Sequence, residues 1–145
     1  MYDHILVPLD GSAISEVAIE HAVRMAENFR AELTLLRVVA LPTVPGVNVA
    51  AVEQALVAES EAYLREIARR IPAQHVTTHT TVRVGKAADT IIEHACQCGN
   101  AMVVMATHGH RHIEQWPLGS IAEKVLRSMR VPVFLVRAPQ PEHVT

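Results

Sequence analysis

The chain has 145 residues, half of them hydrophobic and 19% charged, with a formal net charge of −2. That length and apolar content fit one domain with a sizeable core and exclude a disordered chain. The near balance of 13 basic and 15 acidic residues gives no electrostatic footprint for nucleic acid or an anionic membrane, and no apolar run approaches the roughly 20 residues of a membrane span.

In chain order, "MYDHILVPLDG" lacks the basic segment and long apolar stretch of a signal peptide; its run "HILVPLD" predicts a buried strand over about residues 3–9, stopped by Pro8 and Asp10. "GSAISEVAIEHAVRMAENF" places Ile14, Val17, Ala18, His21, Ala22, Met25 and Phe29 at helical spacing on one stripe, with Ser12 or Ser15 as a cap. "AELTLLRVV", residues 31–39, reads as a second buried strand. Neither strand alternates, as expected of strands covered on both faces in a parallel sheet. The prolines and glycine of "ALPTVPGV" predict a loop, followed by a helix near residues 49–70 with Val52, Leu56, Tyr63 and Ile67 inward and Pro72 at its end.

"HTTVRV", residues 79–84, is a β-branched strand closed by Gly85. "KAADTIIEHACQCG" predicts a helix with Ala88, Ile91, Ile92, Ala95 and Cys96 inward and Gly99 as C-cap. Its two cysteines stand as C-x-C without a second pair, so they complete no metal cage and no C-x-x-C redox turn. Cys96 is expected in the core and Cys98 partly exposed, in a reducing, cytoplasmic setting. "AMVVMAT" is a strong strand, "GSIAEKVLRSM" a helix carrying Ile121, Ala122, Val125 and Met129, and "VPVFLVRA" the last strand. The expected organisation is one domain over residues 1–138 and a loose tail over 139–145.

The order βαβαβαβαβ predicts an α/β fold: an open, mostly parallel five-stranded sheet with helices on both faces, Rossmann-like in its winding. Such sheets bind ligands beyond the carboxyl ends of their strands. Strand one ends in "PLDGS" and strand four in "ATHG", and Gly119-Ser120 opens the fourth helix. If these converge, the helix offers unpaired amides, Ser120 a hydroxyl, Gly109 and Gly119 a close main-chain approach, and Asp10 an acceptor for a sugar hydroxyl or a partner for a metal ion on phosphates. The alternative is an ordinary connection, in which Ser120 caps the helix and Glu123 completes a capping box. Neither G-x-x-x-x-G-K-[ST] nor G-x-G-x-x-G is present. His108, His110 and His112 alternate in "HGHRH" with Glu114 nearby; they are read as exposed loop residues rather than a metal site.

With these residues in hand, the chain resembles the universal stress protein family, in its small single-domain, ATP-binding subgroup. The likeness runs through "ILVPLDGS", "VRVGKAADTIIEHA" and "MVVMATHGH…LGSIAEKVLRSMRVPVFLVR". The family's nucleotide-binding members carry G-x-x-G, nine residues, then G-[ST]; here this stands as Ala106-x-x-Gly109, nine residues, then Gly119-Ser120. Ala106 therefore replaces the first glycine, either strained by a positive φ or crowding the ligand with its methyl group. Between the halves, "HRHIEQWPL" departs from the smaller family loops, with Trp116 and Pro117 placed to stiffen it or cover the cleft.

The resemblance implies an adenine nucleotide alpha hydrolase-like fold and ATP, with Mg2+ as a companion ion. It implies Pro8, Leu9 and Asp10 along adenine and ribose and Val38 near the base. Met105 and Ala106 would line the ribose side, with His108 in the family loop, and Gly109, Gly119, Ser120 and Ile121 would face the phosphates. It further implies a regulatory or sensing stress-response role rather than a dedicated enzyme, and a cytoplasmic homodimer joined through the C-terminal strand at about residues 131–137. The alternatives are a nucleotide-free stress or interaction protein of the same fold and a slow ATP hydrolase.

Overall fold

The structure, a computed structural model, describes residues 1–107 and 119–139. Its elements run β1 (His4–Pro8), α1 (Ala13–Phe29), β2 (Glu32–Val39), α2 (Val49–Arg69), β3 (Thr78–Val84), α3 (Ala87–Gln97), β4 (Ala101–Thr107), α4 (Ser120–Ser128) and β5 (Val133–Arg137). All strand pairs are parallel, in the order β3-β2-β1-β4-β5. The chain steps outward from β1 to β3, then returns to lay β4 on the other flank of β1. Right-handed crossovers in opposite directions put α1 and α2 on one face and α3 and α4 on the other.

Two cores follow. Ile5, Val7, Leu33 and Leu35 point to the first face and meet Ala18, Ala22, Leu64 and Ile67. Leu6, Leu36 and Val103 point to the second and meet Ile91, Ala95, Ala122 and Val125. Successive strand side chains alternate between faces, and both faces are dry, which is why "HILVP" and "LTLL" read as unbroken apolar runs.

Helix α1 starts where the Ser12 hydroxyl accepts the Ser15 N–H at 3.1 Å. Its buried line is Ser15, Ala18, Ala22 and Ala26, small side chains that let the helix lie close to the sheet. The wider expected stripe is thereby corrected. His21 is exposed, its ring beside Phe134 at 6.1 Å between centroids, while Val17, Met25 and Phe29 pack as half-buried flanks.

On α3 the buried line is Ala88, Ile91 and Ala95. Cys96 comes one residue later, turned about 100° away from that line, and is exposed; Cys98 is half-buried. This reverses the order expected for the two thiols. Burial pushes the Cys98 thiol up, against the opposing charge of Arg83, the reverse of what a reactive thiolate requires. The helix ends at Cys98, and Gly99 just beyond it takes the left-handed conformation at φ 37°.

The sheet has two unlike margins. On β5, Phe134 stands 40% exposed. On β3, His79, Thr80 and Arg83 face solvent. Among the described residues, no helix is long and apolar enough to cross a membrane.

Candidate functional site

The site begins where β1 gives way to α1. The Leu9 N–H donates to the Leu36 carbonyl at 2.8 Å, extending the sheet one residue past the strand. The chain then turns. The Asp10 carboxylate accepts from the Ser12 N–H at 2.8 Å and from the Ser12 hydroxyl, both through Oδ1. Gly11 makes the turn possible at φ 87°, a conformation that penalises other residues by roughly 1–2 kcal/mol. Ser15 completes the turn: its hydroxyl donates to the Ser12 carbonyl at 2.9 Å and accepts from the Asp10 N–H at 3.3 Å.

Burial alone would push the Asp10 carboxyl up, but the bonds from Ser12, the Ser15 hydroxyl and the nearby Arg37 charge together hold it below its ordinary 3.8. Asp10 is therefore ionised at neutral pH, with Oδ2 left without a partner among the described residues. A folded-state pKa below the unfolded value makes the ionised turn stabilising above pH 3.8, and that contribution fades as the pH falls further. Urea titrations of wild type and Asp10→Ala are expected to show a constant stability difference from pH 5 to 7 that shrinks below about pH 4.

Ala106 lies inside β4, paired in register with Val136. Among the described residues other than glycine, positive φ occurs only at Arg30 and Asn100, so Ala106 carries no left-handed strain. Of the two costs expected for an alanine there, only crowding remains, and its side chain does line the cleft.

Helix α4 opens with Gly119 at the N-cap, extended at φ −64° and ψ 159°, and among the described residues no side chain caps it. Ser120 is already the first helical residue. Glu123 pairs instead with Arg127 at 2.6 Å, so the capping box of the alternative reading does not form. Among the described residues, the first-turn N–H groups and the positive end of the helix dipole have no side-chain acceptor at the cap. An ion pair between Lys124 and Asp89, at 2.8 Å, braces α4 against α3.

These pieces meet. Pro8, Leu9, Asp10, Val38, Met105, Ala106, Gly119, Ser120 and Ile121 line one cleft at the carboxyl ends of β1, β2 and β4, where the strand order reverses. It holds about 200 Å³, and its lining is predominantly apolar. His108 and Gly109 lie outside the described residues, as do His110, His112, Glu114, Trp116, Pro117 and residues 140–145. Among the described residues, no group of three or more His, Cys, Asp or Glu side chains is placed to hold a metal ion.

The cleft also contains Ser15, Leu36, Arg37, Ala87, Ile91, Thr107 and Ala122, which the sequence reading did not place there. For most of these the missing knowledge was the strand order. Arg37 was different: a lone guanidinium inside "LTLLRVV" was itself a signal, because a strand covered on both faces has little use for a charge away from its end.

Known proteins share this architecture over nearly the whole chain. The family model described as the universal stress protein family matches residues 1–137. A universal stress protein of Methanocaldococcus jannaschii is 30% identical over 146 residues, covering 98% of this chain and 86% of that protein. The crystal structure of a universal stress protein family member from Burkholderia pseudomallei superposes with a TM-score of 0.75 at 26% identity, over 93% of this chain and 96% of the other. A universal stress protein solved in complex with cAMP gives a TM-score of 0.72 at 24% identity, over 95% and 98% of the two chains. On its fold, its extent and its sequence, the chain belongs to the universal stress protein family.

Proposed function

We propose that this protein binds an adenine nucleotide, ATP foremost, in the cleft between β1 and β4, and that it serves a regulatory or sensing role in the stress response. One observation carries the reading: the uncapped amino end of α4 opens onto an apolar cleft at the reversal of strand order. An anion there would accept from the free amides and the Ser120 hydroxyl. The apolar walls formed by Pro8, Leu9, Val38 and Met105 suit a purine, and Asp10 Oδ2, without a partner among the described residues, suits a sugar hydroxyl. The cAMP bound by a relative of the same fold makes adenine nucleotides the first ligands to test.

The residues present fit the phosphates. Mg2+ bound with ATP would neutralise phosphate charge, and Asp10 is the carboxylate in the cleft that would face it. Mass spectrometry of gently purified protein, followed by calorimetry, tests the proposal. Co-purified or titratable ATP is the expected result; empty protein with flat calorimetric traces for ATP, ADP and AMP overturns it. Ala106 favours a second reading, a nucleotide-free interaction protein, because its methyl group occupies the cleft wall.

The proposed working unit is a cytoplasmic homodimer joined along residues 131–137, with residues 1–138 as the domain. β5 ends the sheet with an apolar, partly exposed strand, which pairing with a second copy would cover. Phe134→Lys sets a charge on that margin and is expected to halve the mass measured by light scattering.

A further inference from the structure

One wall of the cleft carries a guanidinium, that of Arg37. Arg37 is half-buried between Leu36 and Val38 on β2. Its guanidinium lies over Gly11, 3.7 Å from where a Cβ on that residue would stand, and its recorded hydrogen bond is a long one, Nη1 to the Leu9 carbonyl at 3.5 Å. It forms no ion pair with a described carboxylate. The nearby Asp10 already spends Oδ1 on Ser12. A guanidinium with five donors is thus held partly out of water with little to donate to.

Arg37 belongs to two hollows at once. It lines the main cleft and also a neighbouring pocket walled by Gly11, Leu56, Glu59, Ser60 and Tyr63. Ser60 is buried there, and the buried Tyr63 hydroxyl has no hydrogen-bond partner. Among the described residues the Tyr63 hydroxyl lacks a partner, the lining carboxylate Glu59 is exposed to solvent, and the Asp10 and Glu16 charges also act on Tyr63.

Position sets the kind of ligand. The amino end of α4 follows β4, Arg37 sits on β2, and β1 runs between those strands. Arg37 therefore reaches the cleft from the β2 side and the amino end of α4 from the β4 side. One phosphate chain cannot leave the nucleoside in both directions, but a nucleotide phosphorylated at its 5′ end and again on its sugar can. A guanidinium forks onto a phosphomonoester through two parallel N–H···O bonds, as arginines do for sugar phosphates in dinucleotide folds.

We infer that Arg37 and the pocket behind it form a subsite for a 2′- or 3′-phosphate on the ribose of an adenine nucleotide, making the protein selective for doubly phosphorylated nucleosides. This rests on the adenine-nucleotide reading of the cleft. The test is calorimetry on the full chain at fixed ionic strength with AMP, adenosine 2′,5′-bisphosphate, adenosine 3′,5′-bisphosphate and ATP. Wild type, Arg37→Gln and Arg37→Lys are compared, with the melting temperature recorded for each.

In wild type at least one bisphosphate is expected to bind roughly tenfold or more tightly than AMP. The bisphosphate-to-AMP affinity ratio falls to near one in Arg37→Gln and is intermediate in Arg37→Lys, which keeps the charge and loses the fork. A ratio near one in wild type, or a ratio that survives Arg37→Gln, overturns the inference and leaves the nucleotide reading standing. Absence of binding by all four nucleotides overturns both.

Discussion

Leu33→Ala is expected to lower the unfolding free energy by about 3–4 kcal/mol and the melting temperature by roughly 10 °C. Leu33 is fully buried on β2, in register with Ile5 on one side and Thr78 on the other. It belongs to the core beneath α1 and α2, where the facing residues of α1 are already alanines and a serine. Those side chains cannot swing into a void, and the strand is pinned by two parallel ladders, so the cavity stays open and contributes its full penalty. Leu126→Ala provides the contrast. Leu126 is 39% exposed on α4 and its truncation is expected to change stability by less than about 1 kcal/mol. Paired urea titrations read both values; similar losses at the two positions would contradict the two-core arrangement.

Ala106→Gly and Ala106→Leu are expected to move nucleotide affinity in opposite directions. Ala106 is half-buried in β4 and lines the cleft without backbone strain, so only its volume is at issue. Glycine opens the wall and tightens ATP binding several-fold, while lowering stability by roughly 0.5–1 kcal/mol through lost strand rigidity. Leucine fills the wall and weakens ATP at least about tenfold, near 1.4 kcal/mol. Affinity rising while stability falls separates crowding from a general effect on folding. Calorimetry with ATP alongside thermal melts measures both. Identical affinities in all three proteins would mean that the ligand does not meet this wall.

Much of this architecture was legible before the coordinates. The run "AMVVMAT" delimits β4 at both ends, and the failure of early strands to alternate announces a sheet covered on two faces. What the sequence carried poorly was rotation and partnership. His21 and Cys96 are apolar enough, and near enough in phase, to pass for core residues, but a helix step of about 100° takes each off its buried line. Ser120 and Glu123 have the spacing of a capping box, yet the helix starts one residue early and Arg127 captures the carboxylate. Arg37 went unread although its charge in mid-strand was visible in "LTLLRVV"; what needed the topology was the cleft it lines, at the strand-order reversal between β2, β1 and β4.

The unequal margins of the sheet set a ceiling on growth. A strand that docks on β5 meets Val133, Phe134 and Leu135; one that approaches β3 meets an imidazole and a guanidinium, His79 and Arg83, with the exposed Val84 at the strand's end. If the proposed pairing runs through β5, each molecule acquires a single neighbour there and the array is finished. Neutralising the far side, by His79→Val together with Arg83→Val, would remove that stop and turn the proposed pair into material capable of polymerising.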